Sequence, residues 1–277
     1  MSHKLRLINV HKSFPAKKTK ENPANTQPFV AVDNVSLDVK AGEFLAIVGP
    51  SGCGKSTLLD LLAGLTKPTQ GKIILNDRQI TGPALDRGIV FQQYALFPWL
   101  TALENIEFGL EAKGVGKVER RKTAQYFLEL VGLAGFENHH PNELSGGMKQ
   151  RVAIARSLAY DPDVLLMDEP FAALDAQTRE TLQAELVRIW QTSGKTIIFI
   201  THSIDEAIYL GQRIAIMTSW PGRIKQIIEV PEQLRSSHED VRSSTEFGEL
   251  RHQIWSLLRD EVSKAQAQEK RQQLAAS

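Results

Sequence analysis

Short apolar runs recur along the chain at residues 44–48, 89–91, 164–167, 196–200 and 214–217, each bounded by polar or turn-forming positions. Runs of this length, rich in Ile, Val, Leu and Phe, predict strands buried on both faces. Helical periodicity lies between several of them, and the alternation predicts an α/β core whose largely parallel sheet is covered by helices. Residues 94–160 break the alternation with two or three helical stretches and no convincing strand, which predicts a helical subdomain inserted into the α/β domain. Nearer the N-terminus, residues 5–10, 31–39 and a hairpin over 72–80 around Asn76 and Asp77 predict a small antiparallel sheet. Beyond Pro231 the chain turns polar until Leu250, Ile254, Leu257 and Leu258 recur at helical spacing, predicting one amphipathic helix and a frayed tail. The expected division is a domain over residues 1–232 and a C-terminal helical tail over 233–277.

Residues 15–28, PAKKTKENPANTQP, combine prolines and charge with almost nothing apolar, so a flexible loop is expected. Its lysines read as a solvated surface or as phosphate contacts. Lys plus Arg number 33 against 32 Asp plus Glu, a formal net charge of +1, which provides no broad field for nucleic acid or acidic lipid. An anionic ligand therefore needs a local site. The single cysteine, Cys53, excludes an internal disulfide framework and a multi-cysteine zinc site and fits a reducing compartment. No apolar run reaches the roughly 18 residues that span a bilayer, and the opening MSHKLRLINVHKSF lacks the apolar stretch of a secretory signal.

Gly49, Pro50, Ser51, Gly52, Cys53, Gly54, Lys55, Ser56 and Thr57 match the pattern G-x-x-x-x-G-K-[ST], after an apolar strand and before the helical LLDLLAGL. Glycines let the backbone curl so that successive N–H groups converge on phosphate oxygens, and the helix N-terminus adds partial positive charge. Lys55 supplies a point charge for the outer phosphates, and the Ser56 hydroxyl suits a magnesium ion that keeps most of its waters. Chance produces such a match about once in a hundred chains of this length. Cys53 within this loop reads as inert filler or as a redox brake.

A second run, VLLMDE, ends in Asp168 and Glu169 at the expected carboxyl edge of the sheet. Strand alternation aims the two acids apart, so Asp168 can serve magnesium while Glu169 polarises an attacking water. The plainer reading makes both caps of the following helix. His202 follows another strand, where an imidazole can reach a γ-phosphate. Ser145, Gly146 and Gly147 open a helical run in LSGGMKQR and form either a plain N-cap or a second phosphate cradle.

The order GPSGCGKST, VFQQ, LSGGMKQR, LLMDEPFAALD and ITHS resembles the ATP-binding subunits of ABC transporters across nearly the whole chain. That resemblance implies a P-loop NTPase of α/β class with a RecA-like parallel-sheet core, an N-terminal antiparallel β subdomain and an inserted helical subdomain. It implies ATP and Mg2+ as cofactors, with Ser56, Gln92 and Asp168 around the metal. Glu169 matches the catalytic glutamate, His202 the switch histidine, Gln92 the glutamine sensing magnesium and water, and Asp175 the aspartate communicating across the dimer. Phe14 looks like the aromatic that stacks on adenine, although a Phe at a strand end is also ordinary core.

The family further implies a head-to-tail dimer, with a second copy or a paralogous ATPase, in which Ser145, Gly146 and Gly147 contact ATP held by the partner. Residues 93–101, QYALFPWLT, form in this reading the groove for a transmembrane permease subunit, while the alternative makes Phe97 and Trp99 core of the helical subdomain. FPWLTALENIEFGL, PFAALDAQTRE, THSIDEAIYL and WPGRI look like the importer branch for nitrate, sulfonate, taurine and bicarbonate. No room for an added regulatory β-domain is expected after the ATPase core, in keeping with that branch. A substrate-binding protein is implied indirectly, nucleic acid is not, and the implied location is peripheral, on the cytoplasmic face of the inner membrane. The rival readings are an ABC ATPase of an exporter or of a non-transport complex, and a nucleotide-binding regulator without hydrolysis, against which intact Glu169 and His202 argue. His139 and His140 read as a surface loop in preference to a metal site.

Overall fold

The computed structural model describes residues 3–15, 28–235 and 241–276, with side chains of the last helix described as far as residue 267. Apart from its end prolines, the expected loop over 15–28 lies outside the described residues. The chain forms two compact units, residues 1–82 with 199–277, and residues 83–198.

The first unit opens with β1 (His3–Phe14), β2 (Phe29–Lys40), β3 (Phe44–Val48), α1 (Lys55–Ala63), β4 (Gln70–Leu75) and β5 (Arg78–Gln79). β2, β1, β4 and β5 build the expected antiparallel sheet in that order. Asn76 and Asp77 form the two-residue turn between β4 and β5 at φ 48° and 60°. Both positions of such a turn need the left-handed region, which Asn and Asp tolerate better than other non-glycine residues. β2 alternates buried and exposed positions toward its end, as a strand with one covered face should, whereas all five residues of β3 are buried.

The second unit contains β6 (Arg87–Val90), α2 (Ala102–Ala112), α3 (Lys117–Leu130), α4 (Gly146–Ala159), β7 (Val164–Asp168) and α5 (Ala176–Ser193). β6 and β7 run parallel, with Arg87 opposite Val164 and Val90 opposite Met167. α2 starts at a capping box: Thr101 Oγ1 accepts from Glu104 N at 3.2 Å, and Glu104 Oε2 accepts from Thr101 N at 2.8 Å. Leu103, Ile106 and Leu110 of α2, Ala124 and Leu128 of α3, and Val152 and Ala155 of α4 are buried where these three helices pack together. Among the described residues no strand lies between 94 and 160.

The chain then returns to the first unit through β8 (Thr196–Thr201), within which the division falls, α6 (Ile204–Leu210), β9 (Arg213–Met217), β10 (Ile224–Glu229) and α7 (Thr245–Ala276). β9 lies parallel to β3, with Leu45 opposite Arg213 and Val48 opposite Ile216, and β10 pairs antiparallel to β9. β10 is an element that the apolar runs do not announce, because Ile228 is its one buried residue. α7 lays Phe247, Leu250, Ile254 and Leu258 against Ala207 and Ile208 of α6, Ile214 and Ile216 of β9, and Ala46 and Val48 of β3. The amphipathic spacing read from sequence thus locates this helix, which runs for 32 residues.

Candidate nucleotide site

In the first unit the buried strand β3 delivers the chain into the turn at residues 49–54, and α1 begins at Lys55. Gly54 caps α1 at φ 98°, and a Cβ there would lie 2.6 Å from the Ala31 carbonyl oxygen, so only glycine fits this corner. The Lys55 side chain is buried, and its ammonium donates to the carbonyl oxygens of Gly49 at 2.9 Å and Pro50 at 3.0 Å. The cation is thereby held inside the turn at the positive end of a nine-residue helix. Cys53 is 1% exposed, and its Sγ lies 2.8 Å from where a Gly49 Cβ would stand, so this thiol is packing at the back of the turn. Ser51, Gly52 and Ser56 are exposed, and Thr57 is half-buried.

His202 follows β8 and is exposed. Its neighbours are fixed: Ser203 N donates to Thr201 Oγ1 at 3.0 Å, Ser203 Oγ caps Glu206 N at 3.3 Å, and Thr201 Oγ1 donates to the buried Glu206 carboxylate. The end of β8, the cap Ser203 and the first turn of α6 therefore set the backbone that carries the imidazole.

In the second unit β7 ends at Asp168, which is half-buried after four buried residues. Glu169 adopts φ 43°, the left-handed region, at a cost of about 1–2 kcal/mol for a residue with a Cβ. Strain of this kind at a strand end re-aims a side chain and is concentrated at functional positions. Gln92 is exposed just after β6. The following residues Tyr94 and Ala95 also have positive φ, 56° and 47°. Arg156 of α4 holds them by donating to the carbonyl oxygens of Ala95 at 2.7 Å and Tyr94 at 3.2 Å. Burial pulls the Arg156 guanidinium below its ordinary value, with Tyr160 acting in the opposite sense. Arg156 carries no motif signal and is not among the residues singled out from sequence.

Ser145 caps α4, its hydroxyl accepting from Met148 N at 3.3 Å. Gly147 is buried, and a Cβ there would come within 2.6 Å of Thr178 Cγ2 on α5, so the turn over residues 145–147 packs against that helix. Gly146 is half-buried beside the Tyr94 hydroxyl. Asp175 caps α5 by accepting from Thr178 N at 3.0 Å. That backbone hydrogen bond, foremost, holds its exposed carboxyl below the usual carboxylate range.

The family model for ABC transporters matches residues 32–172. An uncharacterized ABC transporter ATP-binding protein of Methanocaldococcus jannaschii is 52% identical over 265 residues, 96% of this chain and 95% of that protein. The chain belongs to the ABC transporter family, among its ATP-binding, ATP-hydrolysing subunits. A taurine import ATP-binding protein of Roseobacter denitrificans is 50% identical over 83% of this chain and 87% of its own length. A nitrate import ATP-binding protein of Synechocystis is 49% identical over 83% of this chain and 88% of its own. Among solved structures, a dimeric post-hydrolysis ATP-binding cassette bound to ADP and phosphate is similar at TM-score 0.70 and 38% identity, over 82% of this chain and 99% of that one.

Within this ABC ATPase the aromatic segment after Gln92 is divided, with Phe97 half-buried and Trp99 exposed. Trp99 is 70% exposed, which excludes it from the core, and Phe97 lies against Trp99 and Phe108 at centroid separations of 5.5 and 4.5 Å. A groove of about 660 Å3 runs beside them, lined by Leu85, Phe91, Phe97, Phe108, Arg156 and Tyr160 among others. Buried Asn105 fixes its rim, accepting from Phe97 N at 2.9 Å and donating to the Thr101 carbonyl at 2.9 Å. Phe14 ends β1 half-exposed, with the Lys12 ammonium 5.0 Å from its ring centre, so it is not core. His139 packs on Phe136 and His140 precedes a 3-10 turn. Among the described residues no group of three or more His, Cys, Asp and Glu is placed to hold a metal. The exposed Ser56 hydroxyl and the half-buried Asp168 carboxylate are hard oxygen donors, the type magnesium accepts while keeping water and phosphate ligands.

Proposed function

We propose that this chain is the ATP-hydrolysing subunit of an importer for a small anion or zwitterion such as nitrate, taurine, another sulfonate or bicarbonate. The observation that carries it is that one chain bears two glycine-led helix starts, Gly54–Lys55 at α1 and Ser145–Gly147 at α4, each suited to oxyanions. The likeness to taurine and nitrate import proteins at about half identity supports the cargo class.

In this reading the backbone at residues 49–57 and the Lys55 ammonium hold the β- and γ-phosphates, and Phe14 stacks on adenine. Ser56, Gln92 and Asp168 hold Mg2+, which when bound neutralises charge developing on the phosphates. Glu169 accepts a proton from the attacking water, and His202 orients and stabilises the γ-phosphate. Ser145, Gly146 and Gly147 of a second ATPase chain close over the nucleotide, and Asp175 relays between the two chains. A transmembrane permease docks at residues 93–101, which puts the protein on the cytoplasmic face of the membrane. Closure then biases that partner because the two states bind ATP with different affinity.

Glu169→Gln tests the chemistry. ATP binding should persist, turnover should fall by at least about a hundredfold, and the protein should accumulate as a dimer in light scattering with ATP. An unchanged rate removes Glu169 from its role. Uptake assays with nitrate, taurine, alkanesulfonates and bicarbonate in cells carrying the intact transporter name the cargo.

A further inference from the structure

Glu261 on α7 is 3% exposed, yet none of the nucleotide motifs uses it. Its Oε2 accepts from both the backbone N and the hydroxyl of Ser219, each at 3.0 Å. Its Oε1 accepts from Lys225 at 2.9 Å and Lys264 at 3.0 Å. Burial alone would raise this carboxyl, but the hydrogen bonds from Lys225, Ser219 and Lys264 outweigh it and bring it to about 2. Lys225 also donates to the Leu257 carbonyl at 2.8 Å, so the helix is tied to this region at two levels.

Ser219 opens the loop over residues 219–222, and the far end of that loop is the wall behind the phosphate turn. Gly222 N donates to the Ala31 carbonyl at 3.0 Å, and Gly222 O accepts from Asp33 N at 2.9 Å. A Cβ on Gly222 would stand 2.1 Å from the Cys53 carbonyl oxygen, so loop backbone lies directly on phosphate-turn backbone. The same Ala31 carbonyl is the atom that excludes a Cβ at Gly54. Trp220 stacks on Phe29 at 5.3 Å, and Arg223 pairs with Asp33, which fastens the loop to β2 on its other side. Backbone contacts between closely packed segments leave little room for independent movement, so a shift at Ser219 is passed to residues 53–54.

We propose that Glu261 is a positioning residue for nucleotide binding: it ties the C-terminal helix to the 219–222 loop and thereby holds the phosphate turn in its binding shape. The polar link from α7 to this loop, and not the apolar packing of the helix, then sets nucleotide affinity. This rests on the reading of residues 49–57 as the phosphate site.

The test compares ATP affinity, KM, kcat and thermal midpoint in Glu261→Ala, Ser219→Ala, Leu258→Ala and Lys55→Ala. Leu258→Ala loosens the apolar packing of α7 but leaves the polar link, so it should lower the midpoint and leave the ATP dissociation constant within about twofold. Glu261→Ala should weaken ATP binding by about tenfold, at a temperature where it is fully folded, raising KM more than it lowers kcat. Ser219→Ala, which keeps the backbone half of the link, should fall between it and the parent. Equal affinity in Glu261→Ala and parent, or losses in Glu261→Ala and Leu258→Ala that merely follow the midpoint, overturns the proposal. Parent-like ATP affinity in Lys55→Ala is a separate failure, that of the phosphate site itself, and takes the proposal down with it.

Discussion

Arg156 Nη1 donates to the carbonyl oxygen of Ala95 at 2.7 Å, which fastens the helix capped by Ser145 to the segment that follows Gln92. Two hydrogen bonds from Arg156 thus join the helix capped by Ser145 to the segment after Gln92 within the second unit. Truncating Arg156 leaves two carbonyls without their donor and removes the cation lying 5.7 Å from the Phe97 ring centre. Arg156→Ala should cost about 1–3 kcal/mol of stability, readable by urea unfolding. In the assembled transporter it should reduce cargo-stimulated ATP hydrolysis more than basal hydrolysis. Equal losses in both rates would mean that Arg156 only stabilises.

At Gly54 two penalties coincide, a φ of 98° and a backbone oxygen 2.6 Å from any Cβ. Gly54→Ala should destabilise by about 1–3 kcal/mol and lose the thermal upshift that ATP gives the parent. Gly52 is an internal control, since at φ 72° it has nothing within 4 Å of a Cβ. Gly52→Ala should show the smaller loss of the two in calorimetry with and without ATP.

Legibility from sequence follows the range of the interactions involved. The phosphate turn can be read because strand, glycines, lysine and helix are contiguous, and their spacing is itself the geometry. The left-handed turn at Asn76 and Asp77 and the cap at Ser145 are local in the same way, whereas the cap at Asp175 is not singled out from sequence although it is equally local. Arg156 escapes because its partner lies 61 residues away, and an arginine on a helix has no pattern of its own. Glu261 escapes for the same reason, meeting Ser219 across 42 residues on a stretch that reads as polar tail. Trp99 shows the limit from the other side: an aromatic in an apolar phrase reads equally as core or as surface until its exposure is known.

Glu261 also makes a pH-dependent contribution to stability. Its carboxyl stands at 4.5 when unperturbed and at about 2 in the fold. The folded value is the lower one, so the contribution is complete above about 4.5 and disappears as pH falls through about 2. The full contribution is about 3 kcal/mol. Urea unfolding of parent and Glu261→Gln should differ by roughly that amount at neutral pH, and the gap should narrow steadily as the pH is lowered from 4.5 toward 2. A gap independent of pH would mean that shape, not charge, decides the site.

Trp99 stands 70% exposed at the rim of the aromatic groove, while Asn105 pins the backbone on which it stands. A large exposed indole contributes almost nothing to the stability of its own chain, and aromatic side chains of this kind anchor protein interfaces. Trp99→Ala should therefore leave the thermal midpoint and ATP affinity at parent values. Co-purification with the permease from native membrane should weaken, by about 2 kcal/mol if the residue is a central anchor. The companion change Phe108→Ala lines the same groove at 47% exposure and should weaken it less. Should Trp99→Ala and Phe108→Ala both co-purify as well as the parent, the permease docks elsewhere on this subunit.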